Sequence, residues 1–415
     1  MDFLRVSGAE PLRGRVKISG AKNAALPVLA AALLVPGKTI LKNIPDLTDT
    51  RTMLKLLKIL GASWERKGGD IIIDASDIRG YSAPYELVKT MRASIYAMGP
   101  LLARKGRAEV SFPGGCSLGT RPIDIHLNGF KKLGAKIAID EGNIEASGND
   151  LKGAEMFLDF PSVGATANIL MAAVLVPGIT LIRNFAKEPE IYDLIGFLKK
   201  CGADIKEDPS AITVQGVKEL KSAEYTIIQD RIELGTIGMA AIATKGEVEL
   251  EWNCTDLIVA VREKLLELGA DVRLEKGRYI FRYRPLSGHS KIKTLPYPGF
   301  PTDLQPVFGA LLASSSAEGS IEETIFENRF MWVPELLRMG ADIEHEGETV
   351  HIKGRPLSGA PVMCSDIRAG AAVLTAALSA QGNSNVSRIY HLDRGYEKFT
   401  EKFTALGARM ERGKE

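Results

Sequence analysis

Cysteine and histidine are scarce in this sequence. Four cysteines (Cys116, Cys201, Cys254 and Cys364) and five histidines are spread through 415 residues. No two cysteines form a C-x-x-C pair, which argues against a structural zinc site or a disulfide framework and favours a reducing compartment. Long apolar runs are also missing. The nearest candidate, AALPVLAAALLVPG from Ala24, is cut by Pro and Gly before it could span a membrane. The opening residues MDFLRVSGAEPLRG lack the apolar core of a secretory signal. Neither sign of charge dominates: 53 Lys and Arg face 51 Asp and Glu, a net charge of +2. That balance speaks against a nucleic-acid coat or a binder of anionic membranes, while leaving room for a local basic pocket. The expectation is a cytoplasmic protein that engages neither nucleic acid nor membrane. The sequence leaves the oligomeric state open and is compatible with a monomer.

What the sequence does have is ordinary globular composition, 45% apolar and 25% charged, over a length that suggests two domains. It also repeats itself. An apolar helix end, a Gly-Ala pair and a strand pair recur at Gly61, Gly134, Gly202, Gly269, Gly340 and Gly407, the last copy cut short by the chain end. The Gly suits a helix C-terminus in the left-handed region, and the alternation after it suits a hairpin with one buried face. Interleaved with this is a second pattern: a small-residue apolar helix, a Gly and one strand. Its copies include AALPVLAAALLVPGKTILKNI from Ala24 and ATANILMAAVLVPGITLIRNF from Ala165. A helix apolar all round is buried on every side. Six units of about 70 residues result. The spacing predicts an α/β fold of two inside-out domains, each of three βαβαββ-type repeats with helices buried and sheets outside. The expected domains are residues 22–229, and residues 1–21 together with 230–415.

Polar residues stand where each apolar helix begins. They are Lys22 and Asn23; Lys89 and Arg92; Ser162, Val163 and Gly164; Asp230 and Arg231; Thr302 and Asp303; and Asp366 and Arg368. Helix N-termini carry free N–H groups and partial positive charge, so they suit anions. Ser162, Asp230, Thr302 and Asp366 are also ordinary cap types. Lys22, Arg92 and Arg368 are not, and their recurrence at equivalent places points to anion binding. Asp303 reads as a cap or as a general base, with the cap the commoner role. Cys116 lies between glycines in the polar loop PGGCSLGTR, which ends at Arg121 and has the composition of an active-site lid. That setting favours an accessible thiolate. The other three cysteines read as structural.

The strings SGAKNAALP, KTMRASIYAMGPLLAR, FPGGCSLGTRPIDIHL, FPSVGATANILMAA, QDRIELGT, GFPTDLQP, FENRFM, SDIRAGAA and HLDRGYEKF carry a resemblance over essentially the whole chain. Together they resemble the enolpyruvyl transferase family, in its UDP-N-acetylglucosamine branch. The resemblance implies two inside-out domains. It also implies transfer of the enolpyruvyl group of phosphoenolpyruvate to the 3′-hydroxyl of UDP-N-acetylglucosamine, with release of phosphate. This is the first committed step of peptidoglycan synthesis, and the family needs neither metal nor organic cofactor. By resemblance, Lys22, Arg121 and Arg394 hold the phosphate and carboxylate of phosphoenolpyruvate, and Asn23 and Arg92 position the sugar nucleotide. Arg121, Pro122, Ile123, Asp124 and Ile125 contact its uridine end, and Ser162, Val163 and Gly164 lie near its diphosphate. Asp303 receives the hydroxyl proton, Ile325 contacts the sugar nucleotide by its backbone, and Cys116 is the acid at the methylene carbon. The Cys also implies inactivation by fosfomycin. The chain departs from many relatives in having Phe160-Pro161 where they carry Lys, and Trp332 where they carry His.

Three rivals are weighed against this reading. The sister enzyme that uses shikimate 3-phosphate shares the six-repeat plan but not the Gly-Gly-Cys lid or the Arg-Pro-Ile-Asp segment. A ring encircling DNA needs Lys- and Arg-rich helices, whereas these are rich in Ala, Leu and Val. A non-catalytic paralogue binding the sugar nucleotide is opposed by the filled catalytic positions. The chemistry is divided between two differently furnished halves, so closure is expected to assemble the site.

Overall fold

The structure is a computed structural model, and it describes residues 2–89, 91–111 and 123–414. These residues divide into two compact units. One holds residues 20–111 and 123–228, the other residues 2–19 and 229–414.

The Gly-Ala pairs end helices as their composition requires. Gly61, Gly134, Gly202, Gly269, Gly340 and Gly407 have φ between +85° and +109°, where a side chain would be strained. In each case the following Ala amide reaches back to the carbonyl five residues earlier, as Ala62 does to Leu57 at 3.0 Å and Ala341 to Leu336 at 3.1 Å. This motif satisfies the last carbonyls of the helix and turns the chain into the hairpin. Strand alternation then follows burial. In Asp70–Asp74, Ile71 and Ile73 are buried while Asp70, Ile72 and Asp74 are partly exposed.

Among the described residues there are six four-stranded sheets of one design. In the second repeat, Ser82–Ala83 runs parallel to Arg107–Ser111, which pairs antiparallel with Asn143–Ser147, itself antiparallel to Lys136–Asp140. The parallel pair needs a crossover and the other two strands form a hairpin, so one repeat is strand, helix, strand, helix, hairpin. The expected βαβαββ repeat and inside-out α/β arrangement are therefore present in each unit. The chain closes on itself twice. Glu224–Thr226 returns to lie parallel to Lys38–Lys42, and Arg13–Lys17 lies parallel to Glu247–Glu251. Asp2–Ser7 completes the last sheet between Asn383–Ser387 and Arg409–Lys414.

The apolar helices fill the middle of each unit. In one, Gln305–Ala313 packs on Ile367–Ser379, and both pack on Arg231–Ala243. In the other, Met98–Lys105 packs on Val163–Ala173, and Lys22–Ala31 on Pro189–Lys200. Every residue of Arg231–Ala243 is buried. Glycine permits the closest approaches: a Cβ on Gly309 would stand 2.3 Å from the Trp332 ring, and one on Gly99 equally close to the Asn168 carbonyl. Trp332 is fully buried and its Nε1 donates to Gln305 Oε1 at 3.0 Å. Trp332 thus serves core packing. Cys201 and Cys364 are buried, and burial pushes both thiols up to about 12, as inert core cysteines require.

Candidate active site

The site residues fall into two groups, one in each unit. In the unit holding residues 20–111 and 123–228, Lys22 is the first residue of the helix Lys22–Ala31 and is buried. Its Nζ stands 3.5 Å from Oδ2 of Asp49, itself buried. Asn23 follows it in the same turn. Arg92 opens a 3₁₀ turn, Arg92–Ala97, that packs against the Lys22 helix and passes into Met98–Lys105. The buried helix of the second repeat therefore begins in the tighter 3₁₀ form.

Ile123 precedes the helix Asp124–Lys132, and Asp124 and Ile125 form its first turn. The next residue, His126, ties these elements together. Its Nδ1 is 3.0 Å from Asn168 Nδ2. Asn168 is oriented by the Gly99 amide, which donates to its Oδ1 at 2.8 Å, and it also donates from Nδ2 to the Ile95 carbonyl at 2.8 Å. Nδ2 therefore faces the imidazole, Nδ1 must accept, and the ring proton sits on Nε2. Burial, and secondly the charge of Arg92, push the pKa of His126 down to about 4. A Cβ on Gly164 would stand 3.1 Å from His126 Nε2. The imidazole thus joins the Arg92 turn, the Ile123–Ile125 segment and the start of Val163–Ala173. Ser162 caps that last helix, accepting from the Ala165 amide at 3.3 Å. Phe160 is exposed, and its carbonyl accepts from the Ser162 amide at 2.7 Å. Cys116, Arg121 and Pro122 lie outside the described residues.

In the other unit Asp303 is the centre. Its side chain is partly exposed and is bracketed by two buried arginines. Arg329 Nη2 donates to Oδ1 at 2.7 Å and Arg368 Nη2 to Oδ2 at 2.9 Å. The cap reading of Asp303 is corrected, because Leu304 occupies the cap position of Gln305–Ala313 and the carboxylate is engaged by arginines instead. Thr302 is corrected in the same way: its hydroxyl donates to Glu323 Oε2 at 2.9 Å. Asp230 and Asp366 do act as caps. Each accepts two amides of its own helix, at 2.8 and 3.1 Å for Asp230 and 2.7 and 3.1 Å for Asp366.

Arg368 also lies over the Tyr396 ring at 5.4 Å, and Tyr396 Oη is 3.1 Å from Thr236 Oγ1. Arg394 ends the short helix Tyr390–Asp393, which packs on Ile367–Ser379. Burial, then the Arg394 charge, lower the pKa of His391 on that helix. Ile325 donates its amide to Glu323 Oε1 at 2.8 Å. Arg329 Nε and Arg368 Nη1 are buried without a hydrogen-bond partner among the described residues, which leaves donor capacity beside Asp303. Among the described residues no three His, Cys, Asp or Glu side chains are grouped as a metal would require. Sequence reasoning passed over His126, Asn168 and Glu323. The available signal was that His126 directly follows Ile125.

The model of the EPSP synthase (3-phosphoshikimate 1-carboxyvinyltransferase) family matches residues 6–403. UDP-N-acetylglucosamine 1-carboxyvinyltransferase 2 of Carboxydothermus hydrogenoformans is 52% identical, over 99% of each chain. UDP-N-acetylglucosamine 1-carboxyvinyltransferase 1 of Caldanaerobacter subterraneus is 50% identical, over 98% of each. The solved structure of the enolpyruvyl transferase NikO from Streptomyces tendae has the same fold, with a TM-score of 0.90 at 23% identity, covering 99% of this chain and 98% of that one.

Proposed function

The chain belongs to the EPSP synthase family of carboxyvinyltransferases, and we propose from that premise that it transfers the enolpyruvyl group of phosphoenolpyruvate to the 3′-hydroxyl of UDP-N-acetylglucosamine. The observation that carries the acceptor is 52% identity, along nearly the full length of both chains, to a relative named for that sugar nucleotide. Relatives of that name outrank the shikimate 3-phosphate reading, which rests on the broader family alone.

The chemistry follows from the residue types. The sugar hydroxyl adds to C2 of phosphoenolpyruvate while its methylene takes a proton and becomes methyl. The acid is the Cys116 thiol, and Asp303 takes the hydroxyl proton. The resulting tetrahedral ketal loses a methyl proton and the phosphate, which restores the double bond. Asp303 suits the base because two buried arginines fix its carboxylate without closing it off from solvent. Lys22, Arg121 and Arg394 hold the phosphate and carboxylate of phosphoenolpyruvate, since a small polyanion needs several fixed cations. Asn23, Arg92, Ile123–Ile125, Ser162–Gly164 and Ile325 hold the sugar nucleotide, with His126 neutral between them. Each unit is a three-repeat domain that supplies one group of these residues. The reaction belongs to the cytoplasmic stage of peptidoglycan synthesis, and so to cell shape, growth and division.

The test is phosphate release from phosphoenolpyruvate with UDP-N-acetylglucosamine, with shikimate 3-phosphate, or with neither. Release only with the sugar nucleotide is expected. Release with shikimate 3-phosphate instead would overturn the assignment.

A further inference from the structure

Glu323 is a buried carboxylate outside every role assigned so far. It follows the strand Glu318–Glu322 at the end of the parallel pair with His289–Lys293, opposite Thr294. It accepts four hydrogen bonds. Thr294 Oγ1 donates to Oε1 at 2.8 Å, the Ile325 amide at 2.8 Å and the Phe326 amide at 3.2 Å, while Thr302 Oγ1 donates to Oε2 at 2.9 Å. All four donors are neutral, so this is no ion pair. An ionised carboxylate offers only acceptors, which is what two hydroxyls and two amides need.

The sister repeats show what is unusual here. At the equivalent place, after the second strand of the repeat, the fourth and sixth repeats carry Trp252 and Arg388, and the first and third carry Asn43 and Asn184. Both asparagines adopt positive φ and donate to a main-chain carbonyl of the neighbouring strand end, at 3.1 Å to Ile227 and 2.6 Å to Leu158. The fifth repeat has a carboxylate at this point, with the polarity of the contact reversed. The exchange draws in two segments that the Asn contact does not. One carries Ile325 and Phe326. The other carries Thr302, next to Asp303. The Phe326 ring lies 5.5 Å under Arg329, which in turn holds Asp303.

We infer that Glu323 is a positioning residue for the reaction: it fixes the Ile325 backbone and the Thr302-Asp303 turn in one register, so that the sugar hydroxyl meets the base. The inference rests on the proposed roles of Asp303 and Ile325. Glu323 touches neither substrate. Its effect belongs in kcat, because misplacement by about 1 Å can cost about 100-fold in rate.

The experiment compares wild type, Glu323→Ala, Glu323→Gln, Thr302→Val, Asp303→Ala and the Glu323→Ala/Asp303→Ala double variant. Phosphate release gives kcat and both KM values, and amide hydrogen exchange is read at Ile325 and Phe326. Glu323→Ala is expected to lower kcat about 10- to 100-fold, with the KM for phosphoenolpyruvate changed less than about threefold. It should also expose both amides to faster exchange. Glu323→Gln keeps an oxygen for the three Oε1 bonds and donates to the Thr302 hydroxyl, so it should retain kcat within about fivefold. On an Asp303→Ala background, Glu323→Ala should cost less than about threefold more, since it acts through that carboxylate. Glu323→Gln as impaired as Glu323→Ala, or effects that multiply in full in the double variant, would overturn the inference. If Glu323→Ala does not fold, Thr302→Val decides. A kcat reduced about three- to tenfold supports positioning, and an unchanged kcat refutes it. Full activity in Asp303→Ala would overturn the role of Asp303, whereas unchanged exchange in Glu323→Ala would overturn that of Glu323.

Discussion

Acid should weaken the unit that carries His126, by an amount the imidazole itself sets. The buried ring has a pKa of about 4, against 6.5 for an unperturbed histidine. Above pH 6.5 the ring is neutral in both folded and unfolded chains and contributes nothing. Between pH 6.5 and 4 only the unfolded chain takes the proton, so unfolding gains progressively as pH falls. Below pH 4 both states are protonated and the loss is complete. A difference of about 2.5 pK units corresponds to about 3 kcal/mol. Asp193 in the same unit works the other way. Burial pushes its carboxyl up to about 6, against 3.8, so the folded state binds that proton first and gains stability as pH falls through 6. A bare pH profile of the wild type would blend the two. The assay is therefore a difference: urea unfolding of wild type and His126→Gln at steps from pH 7 to 4. Gln keeps an oxygen for Asn168, while Asp193 is common to both proteins and cancels. The wild type should lose about 3 kcal/mol more than the variant over this range. Parallel stability curves would show that the folded imidazole titrates normally, which would refute its burial in neutral form and the tautomer drawn from Asn168.

Three further outcomes are expected. Fosfomycin should abolish turnover and add its mass at Cys116, while Cys116→Asp should keep an acid and escape the adduct; full activity after incubation, without added mass, would contradict this. Arg368→Met should destabilise the protein by about 3 kcal/mol, because it leaves Asp303 one ion pair short, and lower kcat at least tenfold. Calorimetry and phosphate release check the two parts separately. Trp332→Ala should cost about 3–5 kcal/mol in stability, from the cavity opened over Gly309, yet leave the KM values unchanged, which denaturant unfolding and steady-state kinetics would show.

The fold was legible because its signals are local and repeated. A Gly-Ala pair is one helix end wherever it occurs, and six copies in one order leave little choice of architecture. Lys22, Arg92 and Asp303 were legible as candidates because they stand where apolar helices begin. Their partners were not. Arg329 and Arg368 reach Asp303 across 26 and 65 residues, and nothing in the sequence near Asp303 announces a paired carboxylate, so an ordinary cap seemed the commoner role. Glu323 was hidden for a related reason. It reads as one more acidic residue in the run Ile321-Glu322-Glu323-Thr324, and only the parallel pairing with His289–Lys293 sets it against Thr294. The 3₁₀ start of the Arg92 segment was missed because composition there favours a helix without specifying its pitch.

The beginnings of the buried helices also separate scaffold from chemistry in part. Ser162, Asp230 and Asp366 bond the amides of their own helices. A capped end has part of its hydrogen-bonding capacity already committed, and the stabilisation is local, about 1 kcal/mol each. The helix starting at Lys22, the turn starting at Arg92 and the helix following Asp303 have Ala21, Met91 and Leu304 at the cap position, and no side chain caps them. At these ends the side chain next to the cap position is a cation or the proposed base, as Arg231 also is beside the Asp230 cap. If caps served stability alone, six equivalent helices would be expected to carry six equivalent caps. The division into capped and uncapped ends follows the proposed site only in part, since Ser162 both caps its helix and belongs to the proposed sugar-nucleotide site.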